Sequence, residues 1–221
     1  MLYIKAKLPT ENLPIKRVMA KLFQSFVYTW LDDKEHAGYK HPNGKVFKSM
    51  NFKINYNQHK ILIKYTALDK ENEKKVAMAI LQNGLNLGKI HIVDTEVSLK
   101  NREISDLNTI KVSGFVVAAI KDGNSSKKIY LEPKSNKFQE IVYNNTLQKY
   151  EALYKKSYQG SLKINIANQA KDGRVFFYNK GSVKAWNAIY KIEADKEMLN
   201  LILNTGMGAN CMQGMGFLEL H

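Results

Sequence analysis

The order in which the apolar period changes along the chain limits the fold more than any single motif. Residues 1–8 alternate, with Leu2, Ile4, Ala6 and Leu8 on one face, and read as a strand. Pro9 and Pro14 frame a short connection, and Pro14 suits the first turn of a helix. Over 15–31 the apolar residues Val18, Met19, Leu22, Phe23, Phe26, Val27 and Trp30 recur at threes and fours, which predicts an amphipathic helix. Residues 32–45 are polar and turn-rich, a loop with two histidines. Strands follow over 47–56 and 60–67, joined by Asn57-Gln58-His59. Asp69 caps a helix that ends at 81 or 82 before Gly84, with Val76, Ala77, Ile80 and Leu81 inward. Residues 89–99 alternate again. The first hundred residues thus read β-α-β-β-α-β, an order that lays two helices on one face of an antiparallel sheet.

The order then restarts. A strand over 110–120 meets the turn Asp122-Gly123-Asn124 and a returning strand at 128–131. After Pro133, the residues Phe138, Ile141, Val142, Leu147, Tyr150, Leu153 and Tyr154 keep helical spacing and read as core. Strands at 162–167 and 175–178 flank Asp172-Gly173, a long strand covers 183–193, and Asp195 caps a helix through Leu203. No residue-level repeat is visible, only a repeat of element order. The expected fold is α+β: two tandem ferredoxin-like (RRM-like) units, 1–105 and 106–221, with antiparallel sheets and helices on one face. The boundary falls in a polar stretch at 100–108.

The second unit closes on a glycine-rich loop, Gly206-Met207-Gly208-Ala209-Asn210-Cys211-Met212-Gln213-Gly214-Met215-Gly216, with a strand-like tail Phe217-Leu218-Glu219-Leu220. Such glycine density implies positive φ or close approach. Free N–H groups in such a loop would form a concavity suited to phosphate oxygens. A P-loop is excluded, because Phe217-Leu218 stands where Lys-Ser/Thr is needed. A dinucleotide fingerprint belongs between an early strand and a helix, not here. A plain turn ending a domain stays open.

The charge narrows the partner. The chain has 34 Lys+Arg against 20 Asp+Glu, a net +14, which favours a polyanion: nucleic acid or an anionic membrane. No apolar run reaches the length of a spanning helix, and the alternating N-terminus is not a secretory leader. A single cysteine, Cys211, allows no internal disulfide and no cysteine-based metal site, so the chain reads as cytoplasmic.

Along nearly its whole length the chain resembles the CRISPR-associated repeat-processing endoribonucleases of the RAMP superfamily. The two G-x-G pairs, ending Gly216-Phe217, are similar to that family's C-terminal loop. Phe23-Gln24-Ser25-Phe26-Val27-Tyr28 resembles its tyrosine-bearing helix segment, Glu35-His36-Ala37-Gly38-Tyr39 its histidine loop, and Lys45-Val46-Phe47-Lys48 its lysine-bearing strand start. Ile129-Tyr130-Leu131-Glu132-Pro133 and Asn144-Asn145-Thr146-Leu147-Gln148-Lys149-Tyr150 are similar to its second-domain strand and helix. Met50-Asn51-Phe52-Lys53 departs from the aromatic-Thr-aromatic-Ser usual after the lysine, so Lys45 rivals Lys48; His41 rivals His36.

The resemblance implies RNA cleavage without metal or cofactor. A 2′-hydroxyl attacks the adjacent phosphorus, leaving a 2′,3′-cyclic phosphate and a 5′-hydroxyl. It implies catalytic roles for His36 (or His41), Tyr28 and Lys48: base or acid, proton or hydrogen-bond donor, and fixed charge. Lys45, Lys171, Arg174, Lys184, Gly206, Gly208, Gly214 and Gly216 are the expected RNA contacts. The partner implied is CRISPR repeat RNA or crRNA; effector subunits and a second copy of the chain stay open, and a membrane is not expected. His59, His91 and His221 read as surface residues.

Overall fold

In a computed structural model the chain is described over residues 1–8, 13–92, 94–102, 108–123, 127–179 and 181–221, with side chains for all of these but 13–16. Pro9, Asn124 and the expected unit boundary at 105 lie outside the described residues.

The chain runs β1 (Leu2–Lys7), α1 (Leu13–Thr29), α2 (Asp33–Ala37), β2 (Tyr39–Lys40), β3 (Val46–Phe47), β4 (Met50–Asn57), β5 (Lys60–Ala67), α3 (Lys70–Asn83), β6 (Leu85–Leu87), β7 (Ile90–Ile92) and β8 (Thr95–Leu99). It continues as β9 (Thr109–Val116), β10 (Ala119–Lys121), β11 (Lys128–Tyr130), α4 (Asn136–Tyr154), β12 (Lys163–Gln169), β13 (Arg174–Tyr178), β14 (Gly181–Glu193), α5 (Lys196–Thr205), a 3₁₀ turn at Cys211–Gln213 and β15 (Glu219–Leu220). The first sheet has the order β4-β5-β1-β8 and the second β12-β14-β9-β15, all antiparallel. With the small hairpins set aside, both units show one topology. The second, third, first and fourth strands of each lie side by side, the ferredoxin-like arrangement that the element order predicts.

Alternation builds each core. Ile4 of β1 lies between Ile63 and Val97 in register, and its face is closed by Met19, Phe23 and Val27 of α1 and Val76 and Ile80 of α3. Phe23 meets Phe52 edge to face at 5.0 Å, a favoured aromatic geometry. The second core gathers Val112, Tyr190 and Ile192 beneath Phe138 and Val142 of α4 and Leu199 and Ile202 of α5. The helix starts follow their caps: Asp69, Ser135 and Asp195 each accept a backbone N–H of the first turn.

Several boundaries differ from expectation. α1 ends at Thr29, so Trp30 leaves the stripe and is 39% exposed. On α3 the buried stripe runs through Glu73, Val76, Ala77 and Ile80, and Leu81 turns outward. The strand expected over 47–56 breaks, because Val46-Phe47 pairs with β2 before β4 begins. Gly88, at φ +66°, folds Leu87 and Ile90 into a hairpin, so 89–99 divides into β7 and β8. The polar stretch at 32–45 is not all loop; it holds α2 and β2.

The two units are stitched together by side chains. The Arg102 guanidinium donates to the carbonyl oxygens of Leu203, at 2.8 Å, and Leu218. Glu219 of β15 takes Lys53 at 2.6 Å and also Lys64, on the first sheet. Asn204 accepts from Thr66 at 2.8 Å and Lys70 at 2.7 Å. Met212, from the C-terminal loop, is buried in the first unit's core.

Candidate functional site

Helix α2 is one turn long and is held from within. The Glu35 side chain is buried and accepts hydrogen bonds from the Tyr39 hydroxyl at 2.8 Å and from the Ser49 hydroxyl. The helix stops at Gly38, φ +83°, where a Cβ would come 2.6 Å from the Phe47 carbonyl oxygen. Burial of Glu35 turns the next residue, His36, to the surface. Its ring lies 4.8 Å from that of Tyr28, tilted by 31°. The Lys48 ammonium sits 5.1 Å from the centre of the Tyr28 ring and donates to the carbonyl oxygens of His36 and, at 3.5 Å, Glu35. The sequence-predicted trio is therefore one cluster. Burial lowers the Lys48 pKa from the ordinary lysine value, and the nearby Glu35 carboxylate raises it in part. An ammonium has three donors, so two carbonyls still leave one for a ligand.

Tyr28 contributes differently from the expectation. Its hydroxyl is buried without a well-formed hydrogen bond among the described residues, and burial pushes the phenol up to about 12. Gln24 lies near enough to pull the other way, but its side-chain oxygen is taken by Tyr178. The ring, not the hydroxyl, faces His36 and Lys48, so Tyr28 is a platform for both in this arrangement.

His41 is buried, with both ring nitrogens engaged. Nδ1 accepts the Asn43 N–H at 3.2 Å, and Nε2 lies 3.0 Å from the Glu151 carboxylate on α4. With Nδ1 accepting, Nε2 carries the proton and donates to Glu151. His41 thus clamps the first unit to the second. Beside it Lys45 reaches Gln148 of the same helix at 2.9 Å.

The glycine loop corrects the expectation of an open phosphate cradle. Seven of its amides, those of Gly206, Met207, Ala209, Gln213, Gly214, Met215 and Gly216, already donate to protein carbonyl oxygens. All four glycines have positive φ, and a Cβ at Gly216 would stand 2.3 Å from the Met207 carbonyl oxygen. Close packing alone therefore accounts for these glycines at Gly206, Gly208 and Gly216. Beneath the loop the buried Lys149 donates to the carbonyl oxygens of Thr205 at 3.3 Å and Gly206 at 2.6 Å, and lies 3.6 Å from the Cys211 sulfur. The outer edge stays open. Ala209 is exposed, and Asn210, at φ +62°, is half-buried.

That edge and Lys48 of the cluster share one cavity of about 420 Å³, lined also by Gln24, Lys45, Lys149 and the residues from Gly208 to Gln213. Two further hollows, about 210 and 500 Å³, adjoin it at Asn210 and carry Lys121, Lys127 and Lys128 with Tyr130. The result is a lysine-lined groove around the loop. The other expected RNA contacts lie apart from it, on the arm built by β13 and β14. Lys171 is exposed, Lys184 lies 4.9 Å from the Trp186 ring centre, and Arg174 covers Phe115 at 5.8 Å. Arg174 instead lines a separate cleft of about 240 Å³ with Lys53 and the inner side of Gly214–Phe217.

Sequence reasoning passed over Glu35, Lys149, Lys121 and Lys128. Glu35 sits in a charge run that looks like solvated surface, and Lys149 is a lone lysine on a helix, a place where lysine usually faces water. The groove lysines fall on short strands whose facing no period reveals. Among the described residues no group of three or more His, Cys, Asp or Glu could hold a metal ion, and no helix is long and apolar enough to cross a membrane.

Two ferredoxin-like units of one topology thus meet at a glycine loop over a basic cavity. Residues 94–220, more than half of the chain, match the family described as CRISPR associated protein Cas6, C-terminal, and the chain belongs to that family. Membership sets it in CRISPR RNA processing. Solved structures agree on the fold. A Cas6-related protein from Pyrococcus furiosus is 14% identical with a TM-score of 0.73, over 100% of this chain and 98% of that one. A RAMP protein described as binding different RNA substrates is 12% identical, TM-score 0.69, over 100% of both chains. A Cas6 product complex is 14% identical, TM-score 0.69, over 100% of this chain and 98% of the other. No curated protein sequence matches the chain.

Proposed function

We propose that the chain is an endoribonuclease that cuts precursor CRISPR RNA within its repeats, with residues 1–105 supplying the reacting side chains and 106–221 the glycine loop. The 2′-oxygen of one nucleotide bonds to the adjacent phosphorus as the bond from phosphorus to the 5′-oxygen breaks. The 2′-hydroxyl proton leaves to a base, and a proton reaches the departing 5′-oxygen. The products are a 2′,3′-cyclic phosphate and a 5′-hydroxyl, and no metal ion takes part.

His36 carries the proton transfer. An imidazole titrates near neutrality, and this one is exposed and free of hydrogen bonds from its ring among the described residues. Tyr28, with a phenol pushed to about 12, keeps its proton and cannot serve as base near neutral pH. Its ring holds the imidazole and the ammonium in place. Lys48 supplies fixed charge where the phosphorane gathers negative charge. Lys45 and the groove lysines contact phosphates along the strand. Lys171, Arg174 and Lys184 do the same farther out, and the exposed edge of the glycine loop borders the path. His41, fixed between Asn43 and Glu151, is left to hold the units together.

The observation that carries this reading is the convergence of His36, Tyr28 and Lys48 beside a cavity walled by the C-terminal loop. The test is incubation of a repeat RNA with the protein in EDTA, with analysis of the product ends. Cleavage to a cyclic phosphate, abolished by a single 2′-deoxy substitution at the cut, supports it. Tight binding with no cut would instead favour a catalytically silent relative that holds crRNA.

A further inference from the structure

Resting on the cleavage reading above, we propose that Glu35 is a positioning residue for the reaction: its buried side chain ties the helix bearing His36 to the strand start bearing Lys48, while its main chain holds the Lys48 ammonium. Three side-chain donors meet at this one residue: the hydroxyls of Tyr39 and Ser49 and the Lys48 ammonium. The carboxylate accepts from Tyr39 on β2 and from Ser49, which directly follows Lys48. The Glu35 carbonyl oxygen accepts from Lys48, as does that of His36. One glutamate therefore fixes the distance between the imidazole and the ammonium, both of which lie against the Tyr28 ring.

The placement is costly enough to need a reason. A buried carboxylate loses hydration and persists only when its lone pairs are filled. Hydroxyls of Tyr39 and Ser49 fill some of them, but neither neutralises the charge. The groups facing Glu35 are the phenols of Tyr28 from α1, Tyr39 from β2 and Tyr65 from β5, the Lys48 ammonium, and Asp69 beyond Tyr39. Lys48 is the cation in contact with Glu35, and the Lys34 ammonium lies farther out, 5.2 Å from the Tyr39 ring centre. The carboxylate opposes the burial that lowers the Lys48 pKa. It therefore sets geometry through its hydrogen bonds and favours the charged form of Lys48 through its field. An apolar or neutral residue of equal size would give at most the first.

Two variants separate those effects. Glu35→Gln keeps the shape and removes the charge; Tyr39→Phe removes one tether and keeps the charge. Single-turnover cleavage of a repeat RNA is followed from about pH 6 to about pH 10, beside RNA affinity and melting temperature. For Glu35→Gln we expect near-native melting and affinity, a rate about tenfold lower or more, since small displacements of reacting groups are expensive, and an alkaline limb moved to lower pH. Tyr39→Phe should lose rate without moving that limb. The inference is overturned if Glu35→Gln cleaves at the wild-type rate with the wild-type profile while His36→Ala is inactive. If Glu35→Gln fails to fold, a Tyr39→Phe rate equal to wild type overturns the positioning role. A wild-type protein that does not cut repeat RNA removes both this inference and the reading beneath it.

Discussion

The cluster on the first unit and the glycine loop on the second were marked by different residues, and the structure gives them opposite characters. Around His36 the side chains that matter are exposed or only part-paired: an imidazole at the surface and a lysine with a donor to spare. In the loop four glycines and Asn210 turn the backbone through positive φ, Met207, Met212 and Met215 are buried, and seven amides are already bonded within the protein. One region presents chemistry and the other presents shape. A glycine motif read from sequence suggests a ligand, whereas here it reports how closely two pieces of backbone must pass. The loop's open part is its rim, where Ala209 and Asn210 wall the cavity that Lys48 also lines.

Glycine substitutions should test that division most strongly. Gly216→Ala places a methyl group 2.3 Å from the Met207 carbonyl oxygen at φ +69°, and should cost about 3 kcal/mol or more in a urea melt. Gly44→Ala, also at positive φ (+86°) but with nothing within 4 Å, should cost only about 1 kcal/mol. Equal losses would erase the contrast between a packed loop and an open one.

A smaller effect is expected beneath the loop. Lys149→Met leaves the Thr205 and Gly206 carbonyl oxygens without their buried donor, at a cost of about 1–3 kcal/mol. If the loop were a phosphate site, the same change would weaken RNA binding at unchanged stability, which native gel shifts beside the melt would reveal.

The smallest effect concerns the seam between the units. Burial would raise the Glu219 carboxyl, but hydrogen bonds and charge from Lys53 and Lys64 prevail and hold it below the ordinary 4.5. A depressed carboxylate pKa stabilises the fold fully above the unfolded value, and that stability fades as pH falls through the native value. The gap in urea midpoint between wild type and Glu219→Gln should persist from about pH 7 to about pH 5 and close toward about pH 3. A gap that widened in acid would mean the carboxylate is not paired as described.

Much of this was legible in the residues. Caps at Asp69 and Asp195 and the alternation of β1 and β14 fixed the order of elements, and hence the paired topology, because local periods report which face is buried. The Tyr28, His36 and Lys48 cluster was legible only through family resemblance. The choice between His36 and His41 was not, because it depends on Glu151, distant in the chain, arriving beside one imidazole. Trp30 and Leu81 were misjudged because a helical stripe does not say where the helix stops or how wide its covered face is. Two of the loop's closed amides, those of Gly216 and Ala209, were hidden for a similar reason: their acceptors, Phe115 and Val117, lie distant in the chain at the end of β9 and just beyond it.

The central claim is that His36, and not His41, performs the proton transfer. Single-turnover cleavage of a CRISPR repeat RNA by His36→Ala and His41→Ala, each confirmed folded, decides it. The account predicts a loss of roughly 10²–10⁴ in rate for His36→Ala and a rate within about tenfold of wild type for His41→Ala, with its deficit in melting temperature. A His36→Ala enzyme that cuts as fast as wild type, beside an inactive but folded His41→Ala, would contradict it.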